Sequence, residues 1–123
     1  MLWVRLPNAL AGGRALLLAV CYSPPCDPGP EAADADDAWF QRLASDWVQA
    51  LTLGVPVLAG DFNARTKRRH DWPSAHPCSP RRSCDGTLNA RGQRLLRYCK
   101  DVAARLCNGH VPGDEHGAAT SWG

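Results

Sequence analysis

The residues best suited to chemistry form the tetrapeptide Gly60-Asp61-Phe62-Asn63, which directly follows the apolar run 55–59. On an extended strand, side chains two positions apart point to the same side, so Asp61 and Asn63 are predicted to project together while Phe62 faces the core. A carboxylate can orient or deprotonate a water molecule, and a carboxamide can donate a hydrogen bond to a phosphate oxygen. The same residues also favour a simple turn after a core strand, which is the more frequent outcome of this spacing alone.

Two common motifs built around such an aspartate do not match the chain. The sequence contains no Gly-x-x-x-x-Gly-Lys-[Ser/Thr] segment, so Asp61 is not the Walker B acid of a P-loop NTPase. A calcium-binding loop that starts at Asp61 needs Gly at its sixth position and Glu at its twelfth. Thr66 and Trp72 stand there instead, which excludes an EF-hand loop.

The hydrophobic pattern predicts the elements that position this tetrapeptide. We expect strands at 3–6, 14–22 and 55–60, the last of them buried on both faces, and an exposed loop at 23–35. A helix is predicted from Asp36 to about residue 53, because apolar residues recur there at helical spacing. That stripe comprises Trp39, Phe40, Leu43, Trp47, Val48 and Leu51. A second helix is predicted over 90–107, with a solvated outer face that holds Arg91, Arg94, Arg97, Lys100 and Arg105.

Residues 64–87 lack any periodicity and are predicted to form a long, Pro-rich basic loop. A loop of this length inside a compact domain is usually functional or disordered. Its cations could follow a nucleic-acid backbone, since phosphate contacts set position rather than sequence. The candidate nucleic-acid-binding residues are Lys67, Arg68, Arg69, Arg81 and Arg82. Trp72 could stack on a base or simply anchor the loop.

Composition bounds the remaining possibilities. The chain has 123 residues, enough for one core, and its net charge of +2 excludes a histone-like polycation. The longest apolar run, residues 15–22, is far too short to span a bilayer, and no signal-peptide cleavage site follows it. The six cysteines form no Cys-x-x-Cys pair. We therefore expect reduced thiols, no membrane association and an intracellular location, which is compatible with the nucleus.

A different hypothesis is a binding module without catalysis, in which zinc is held by His70, His76, Cys78 and Cys84 while the arginines bind nucleic acid. The spacing His-x5-His-x-Cys-x5-Cys matches none of the common zinc patterns. A disulfide between Cys78 and Cys84 is a further alternative, which a reducing compartment disfavours.

Several segments, taken together and in order, resemble the endonuclease/exonuclease/phosphatase superfamily. They are Leu16 to Pro25, which contains Tyr22-Ser23-Pro24-Pro25, and Val55 to Arg65, which contains the Gly-Asp-Phe-Asn tetrapeptide. The downstream pattern is similar to that of retrotransposon-type (LINE-like) endonuclease domains. It runs from Arg82-Ser83-Cys84-Asp85 through Asn89, Gly92, Leu95-Leu96, Cys99, Asn108-Gly109 and Gly113-Asp114 to Thr120.

This resemblance implies a four-layer α/β sandwich, with two sheets flanked by helices, that hydrolyses phosphodiesters with Mg²⁺ or Mn²⁺. It implies that Asp61 orients or deprotonates the attacking water, and that Asn63 and Tyr22 contact the scissile phosphate. A developing negative charge on a phosphodiester does require a cation and well-placed donors. DNA is the expected partner, although RNA or a small phosphoester fits the same chemistry.

Other family motifs have no counterpart in the chain. No Ser-Asp-His sequence occurs, and neither Glu31 nor Glu115 matches the family's metal-binding glutamate. We therefore interpret residues 1–123 as the middle portion of the domain, an incomplete four-layer α/β sandwich that is expected to have little or no activity in isolation. Half of a sandwich is also expected to expose sheet surface that a second sheet would cover.

Overall fold

The computed structural model describes residues 2–25, 29–71 and 81–118. Within these residues the chain forms a mixed three-stranded sheet and two α-helices, which is a small α/β fold. It divides into two compact units, residues 1–63 and 64–123. No helix in the described part of the chain is both long and apolar enough to cross a membrane.

The first unit contains the whole sheet. Its strands are β1 (Leu2–Leu6), β2 (Leu16–Tyr22) and β3 (Val55–Asp61), in the spatial order β1-β2-β3. β1 and β2 are antiparallel neighbours, and the segment between them includes a short 3-10 turn at Ala11–Gly13. β2 and β3 run parallel, because the helix α1 (Pro30–Leu53) crosses over between them. All three strands lie within two residues of their predicted positions.

Helix α1 begins six residues before the predicted Asp36, so the loop predicted at 23–35 is shorter than expected. Pro30 occupies the first helical position, where a missing N–H costs nothing, and Glu31 lies in the first turn near the positive end of the helix dipole. Gly54 ends the helix and donates its N–H to the carbonyl of Ala50 at 3.1 Å. The predicted end of this helix at about residue 53 is therefore confirmed.

One face of the sheet packs against α1. Along β2 the side chains of Leu17, Ala19 and Cys21 are buried, and Leu17 forms a cluster with Ala15 and Ala50, against which Trp3 packs. Leu43 of α1 is 1% exposed, and burial of one such side chain stabilises the fold by about 2 kcal/mol. Two residues of the predicted helix stripe, Val48 and Leu51, are instead 58% and 51% exposed.

In the part of the chain that the structure describes, the opposite face of the sheet is largely exposed, and we call it the open face. Register pairing and strand alternation place nine aliphatic residues on it, contributed by all three strands. They are Leu2, Val4, Leu6, Leu16, Leu18, Val20, Val55, Val57 and Ala59. Exposure reaches 71% at Leu2 and 63% at Val20. The prediction that the third strand is buried on both faces is therefore wrong, whereas exposed sheet surface is present.

The second unit is built around helix α2 (Ala90–Asp101). Its N-cap is Asn89, whose carboxamide oxygen accepts the N–H of Gly92 at 2.7 Å and that of Arg65 at 3.0 Å. Leu95, Leu96 and Cys99 are buried, and burial raises the pKa of the Cys99 thiol to about 12. On the predicted solvated face, however, Arg91 is only 6% exposed. The arginine therefore belongs to the interior of this unit.

Helix α2 ends six residues before the predicted Cys107, and a buried carboxylate explains why. Ala103 adopts a left-handed backbone (φ +55°), and the chain then turns so that the N–H of Leu106 donates to Asp71 Oδ2 at 2.6 Å. Asp71 is 2% exposed and also lies 3.5 Å from Arg105 Nε and 3.6 Å from His110 Nε2. This one carboxylate joins the basic loop to the segment that follows α2.

Gly60 is required by the contact between β2 and β3. Its φ of +143° lies in the region that favours glycine, and a Cβ there would overlap the carbonyl oxygen of Cys21. We expect Gly60→Ala to lower the free energy of unfolding by about 3 kcal/mol, as measured by urea unfolding followed by circular dichroism. The control is Gly86→Ala, since a Cβ at Gly86 meets nothing within 4 Å. Equal stability of the two variants would contradict this close approach.

Asp71 is expected to dominate the stability of the second unit. Asp71→Ala leaves Arg105 and the Leu106 N–H without their buried acceptor, so we expect a loss of about 3 kcal/mol in chemical denaturation. Asp101→Ala removes an exposed carboxylate at the end of α2 and is expected to change stability by less than about 0.5 kcal/mol. Similar losses in both variants would show that the buried contacts of Asp71 contribute little.

Candidate functional site

Tyr22 and Asp61 are neighbours at the end of the parallel strand pair. They are register partners, and the pairing continues one residue further, where the N–H of Ser23 donates to the Asp61 carbonyl at 2.9 Å. Partners in adjacent parallel strands project from the same face, which here is the open face. Tyr22 is 65% exposed, and Asp61 is also exposed. A phenol and a carboxylate therefore share one solvent-accessible corner of the sheet.

The backbone at Asn63 is not the extended strand that was predicted. β3 ends at Asp61, and Asn63 has a left-handed backbone (φ +47°), which asparagine tolerates better than most residues. Asp61 Oδ1 accepts the N–H of Asn63 at 2.8 Å, forming an Asx turn. The prediction that an extended chain projects Asp61 and Asn63 together is therefore wrong, and the turn interpretation describes the local geometry.

The carboxamide of Asn63 is nevertheless held close to Tyr22. Its Nδ2 donates to the carbonyl oxygen of Ser23, the next residue along the chain, at 2.7 Å. Ser23 thus links the three candidate residues. It directly follows Tyr22, its backbone N–H donates to the Asp61 carbonyl, and its own carbonyl accepts the Asn63 side-chain amide. Sequence reasoning did not identify Ser23 as the residue that organises the site, because its contribution comes from backbone atoms and carries no side-chain pattern.

The Phe62 side chain projects toward helix α1 and away from the open face, as predicted. Its ring meets that of Trp39 edge to face, with centroids 6.1 Å apart, and Trp39 makes a second such contact with Phe40 at 4.9 Å. Helix α1 therefore positions the turn that carries Asp61 and Asn63.

The ligands present at this corner do not complete the coordination of a divalent cation. Mg²⁺ binds octahedrally to oxygen, commonly through one or two carboxylates together with substrate phosphates and several waters. Asp61 contributes a single carboxylate, one of whose oxygens caps the turn. Across residues 2–25, 29–71 and 81–118, no group of three or more His, Cys, Asp or Glu side chains is arranged to hold a metal ion.

The division into two units shows a charge asymmetry that the overall net charge hides. Residues 1–63 contain 3 Arg and Lys against 7 Asp and Glu, which gives −4. Residues 64–123 contain 11 Arg and Lys against 5 Asp and Glu, which gives +6. This contrast follows the unit boundary at Asn63, which no feature of the sequence marks and which only the fold defines.

Four of the five predicted nucleic-acid-binding residues are exposed on the second unit: Lys67, Arg68, Arg69 and Arg82. Arg68 Nε donates to the carbonyl of Ser83 at 3.3 Å, which fixes part of that side chain near Arg82. Arg97 and Lys100 of α2 are exposed as well. The second unit therefore presents cations from both its loop and its helix.

Arg81 is the exception among the predicted binding residues. It is 3% exposed, and its guanidinium donates to Thr66 Oγ1 at 2.7 Å and to the carbonyl of Lys67. Burial lowers the pKa of Arg81, although the nearby Asp71 acts in the opposite direction. In this position Arg81 supports the loop from within and is not presented to a ligand.

Arg65 is also engaged internally, although it is exposed. It forms a two-pronged pair with Asp85, with both nitrogen–oxygen distances at 2.9 Å. The Arg65 guanidinium, helped by the N–H of Thr87, lowers the pKa of the Asp85 carboxyl to about 2. This pair joins the two ends of the loop that the sequence predicted at 64–87.

Part of the zinc hypothesis, and the proposed role of Trp72, lies outside the described residues. His76, Cys78 and Trp72 fall in the segment 72–80, which the structure does not describe. His70 is exposed, and the Cys84 thiol donates to the carbonyl of His116 at 3.5 Å. Within the described residues, Cys21, Cys84, Cys99 and Cys107 carry no disulfide.

Comparison with known protein families, curated proteins and solved structures found no match for this chain.

Proposed function

We propose that the chain carries part of the catalytic site of a Mg²⁺-dependent phosphodiesterase of the endonuclease/exonuclease/phosphatase type, with DNA as its substrate. The observation that carries the proposal is the register pairing of Tyr22 with Asp61 at an exposed strand end. The turn adds the carboxamide of Asn63, held by Ser23. A base, an amide donor and a hydroxyl donor are the side-chain chemistry that water attack on a phosphodiester requires.

Each residue has a distinct role in this proposal. Asp61 accepts a proton from the attacking water or orients it, while the Tyr22 hydroxyl and the Asn63 carboxamide donate to phosphoryl oxygens. A bound Mg²⁺ or Mn²⁺ would supply charge neutralisation, with ligands beyond the single carboxylate found here. The isolated chain is therefore expected to be a weak catalyst at best.

The fold proposal follows from the open face. Helix α1 and the sheet form two layers, and the uncovered aliphatic side of the sheet is the kind of surface on which a second sheet packs, about 10 Å away. A second sheet and its helix would complete the four-layer α/β sandwich. The same layer would border Tyr22 and Asp61 and shape the cleft around them.

A second candidate function is nucleic-acid binding without catalysis. The net charge of +6 on residues 64–123 favours it, because clustered cations bind phosphate backbones whether or not hydrolysis follows. The two functions differ in whether Asp61 matters, since the first unit carries −4 and contributes little to polyanion binding.

Asp61→Ala tests the catalytic site. We expect the wild-type chain to nick supercoiled plasmid slowly with Mg²⁺, and the substitution to reduce nicking roughly 100-fold or to background because the base is lost. The control is Asp34→Ala, which removes an exposed carboxylate of α1. Nicking by the wild type that Asp61→Ala leaves unchanged would refute the assignment.

If wild-type nicking does not exceed background, phosphate contact at the corner can be measured directly. Addition of a thymidine dinucleotide with Mg²⁺ is expected to shift the Asn63 side-chain amide signal, identified by its loss in Asn63→Asp, in ¹⁵N-resolved NMR spectra. If the Asn63 amide signal does not shift at saturating dinucleotide, the catalytic proposal is excluded and only nucleic-acid binding without catalysis remains.

Salt dependence tests the basic surface. Replacement of Lys67, Arg68 and Arg69 by Ala is expected to weaken binding to a DNA duplex, as measured by fluorescence anisotropy at several salt concentrations. Each lost phosphate contact should reduce the slope of log K against log salt by about 0.9. Arg42→Ala, which removes an exposed cation of the first unit, is expected to leave the slope unchanged. Equal slopes for the triple variant and the wild type would exclude this surface.

A further inference from the structure

The open face is large enough to form the apolar core of an interface. Six of its side chains are exposed large apolar groups, between 39% and 71% accessible: Leu2, Val4, Leu6, Val20, Tyr22 and Val57. Together with their half-buried neighbours they present on the order of 500 Å² of apolar surface. A patch of that size lies near the upper end of what monomeric proteins expose.

We propose that a second copy of this chain covers the open face, so that two sheets pack face to face in a two-fold symmetric dimer. A stable interface buries roughly 800 Å² per partner, of which about 60% is apolar. The open face therefore supplies the apolar core of one standard interface. This inference rests on the packing of the sheet and not on the proposed phosphodiesterase activity.

The character of the face favours a second copy over a charged partner. Its nine aliphatic residues come from three strands, and among the described strand residues the ionised side chain on this side is Asp61, at the very end. Away from Asp61 such a surface offers no charge for a different partner to complement, whereas an identical aliphatic face can pack on it. Leu and Val side chains that alternate along strands interdigitate well between aligned sheets.

Electrostatics also selects the orientation of the two copies. If the strands of the two copies ran in the same direction, both Asp61 carboxylates would lie at the same end of the interface, where like charges repel. With the strands running in opposite directions, each Asp61 lies at its own end of the interface. The resulting layer order is α1, sheet, sheet, α1, which is a four-layer α/β sandwich formed by two chains.

The chain offers a matched pair of valines for the test. Val20, on the central strand of the open face, is 63% exposed, and Val48, on helix α1, is 58% exposed. Because the dimer is two-fold symmetric, Val20→Lys introduces two cations into the interface, one from each copy. We therefore expect the dissociation constant of the dimer to rise at least about 100-fold. Val48→Lys makes the same chemical change outside the face and is expected to leave the dimer intact.

The measurement is sedimentation equilibrium on the complete chain, from about 1 µM to about 1 mM. We expect the wild type and Val48→Lys to reach twice the 13.3 kDa chain mass, and Val20→Lys to remain at the single-chain mass. If circular dichroism shows that Val20→Lys fails to fold, Val20→Thr keeps the β-branched shape and is expected to weaken the dimer about tenfold.

Three results would overturn the proposal. They are a wild type that remains monomeric at the highest concentration, a dimer that Val48→Lys disrupts while Val20 variants do not, and association that grows without limit rather than stopping at two copies. Failure of the dimer leaves the nicking and DNA-binding results unaffected, and their failure leaves the dimer unaffected, because the variants involve different residues.

Discussion

The parallel pairing of β2 with β3 is the interaction on which the first unit depends. It brings residues 16–22 alongside 55–61 in full register, and it closes only because Gly60 lets the backbone of Cys21 approach. Helix α1 is the crossover that this pairing requires, and the aromatic contact between Trp39 and Phe62 ties that helix to the turn after β3. Tyr22 meets Asp61 as a direct consequence, since they occupy the final register position of both strands.

The second unit follows a different principle, in which buried polar groups replace a large apolar core. Asp71 holds the segment after α2, Asn89 caps the helix while accepting the N–H of Arg65, and the guanidinium of Arg81 is enclosed against Thr66 and Lys67. The buried Arg81 guanidinium is therefore not presented to an extended ligand. The exposed cations, at 67–69 and on α2, form a basic surface. Other basic residues, Arg65 and Arg81, stabilise the loop beneath it through internal hydrogen bonds.

The two units also differ in the chemistry of their exposed surfaces. The first unit is acidic overall, and its main exposed feature is the aliphatic open face. The second is strongly basic and exposes cations from its loop and from α2. A chain that is nearly neutral as a whole therefore carries one apolar surface and one basic surface.

Much of the local structure could be predicted from sequence. Apolar alternation, helical spacing and glycine predicted the three strands, the end of α1 and the start of α2, because these signals depend on neighbours in the chain. The exposure of β3, the burial of Arg81 and Arg91, and the early end of α2 at Asp101 could not be predicted in this way. Each depends on which segment, if any, packs against the element, and that segment is distant in sequence. The same reason applies at the candidate site: the residue types at 61 and 63 indicated chemistry, but only the pairing of β2 with β3 and the contact with Ser23 decided that Tyr22 and Asn63 would lie beside Asp61.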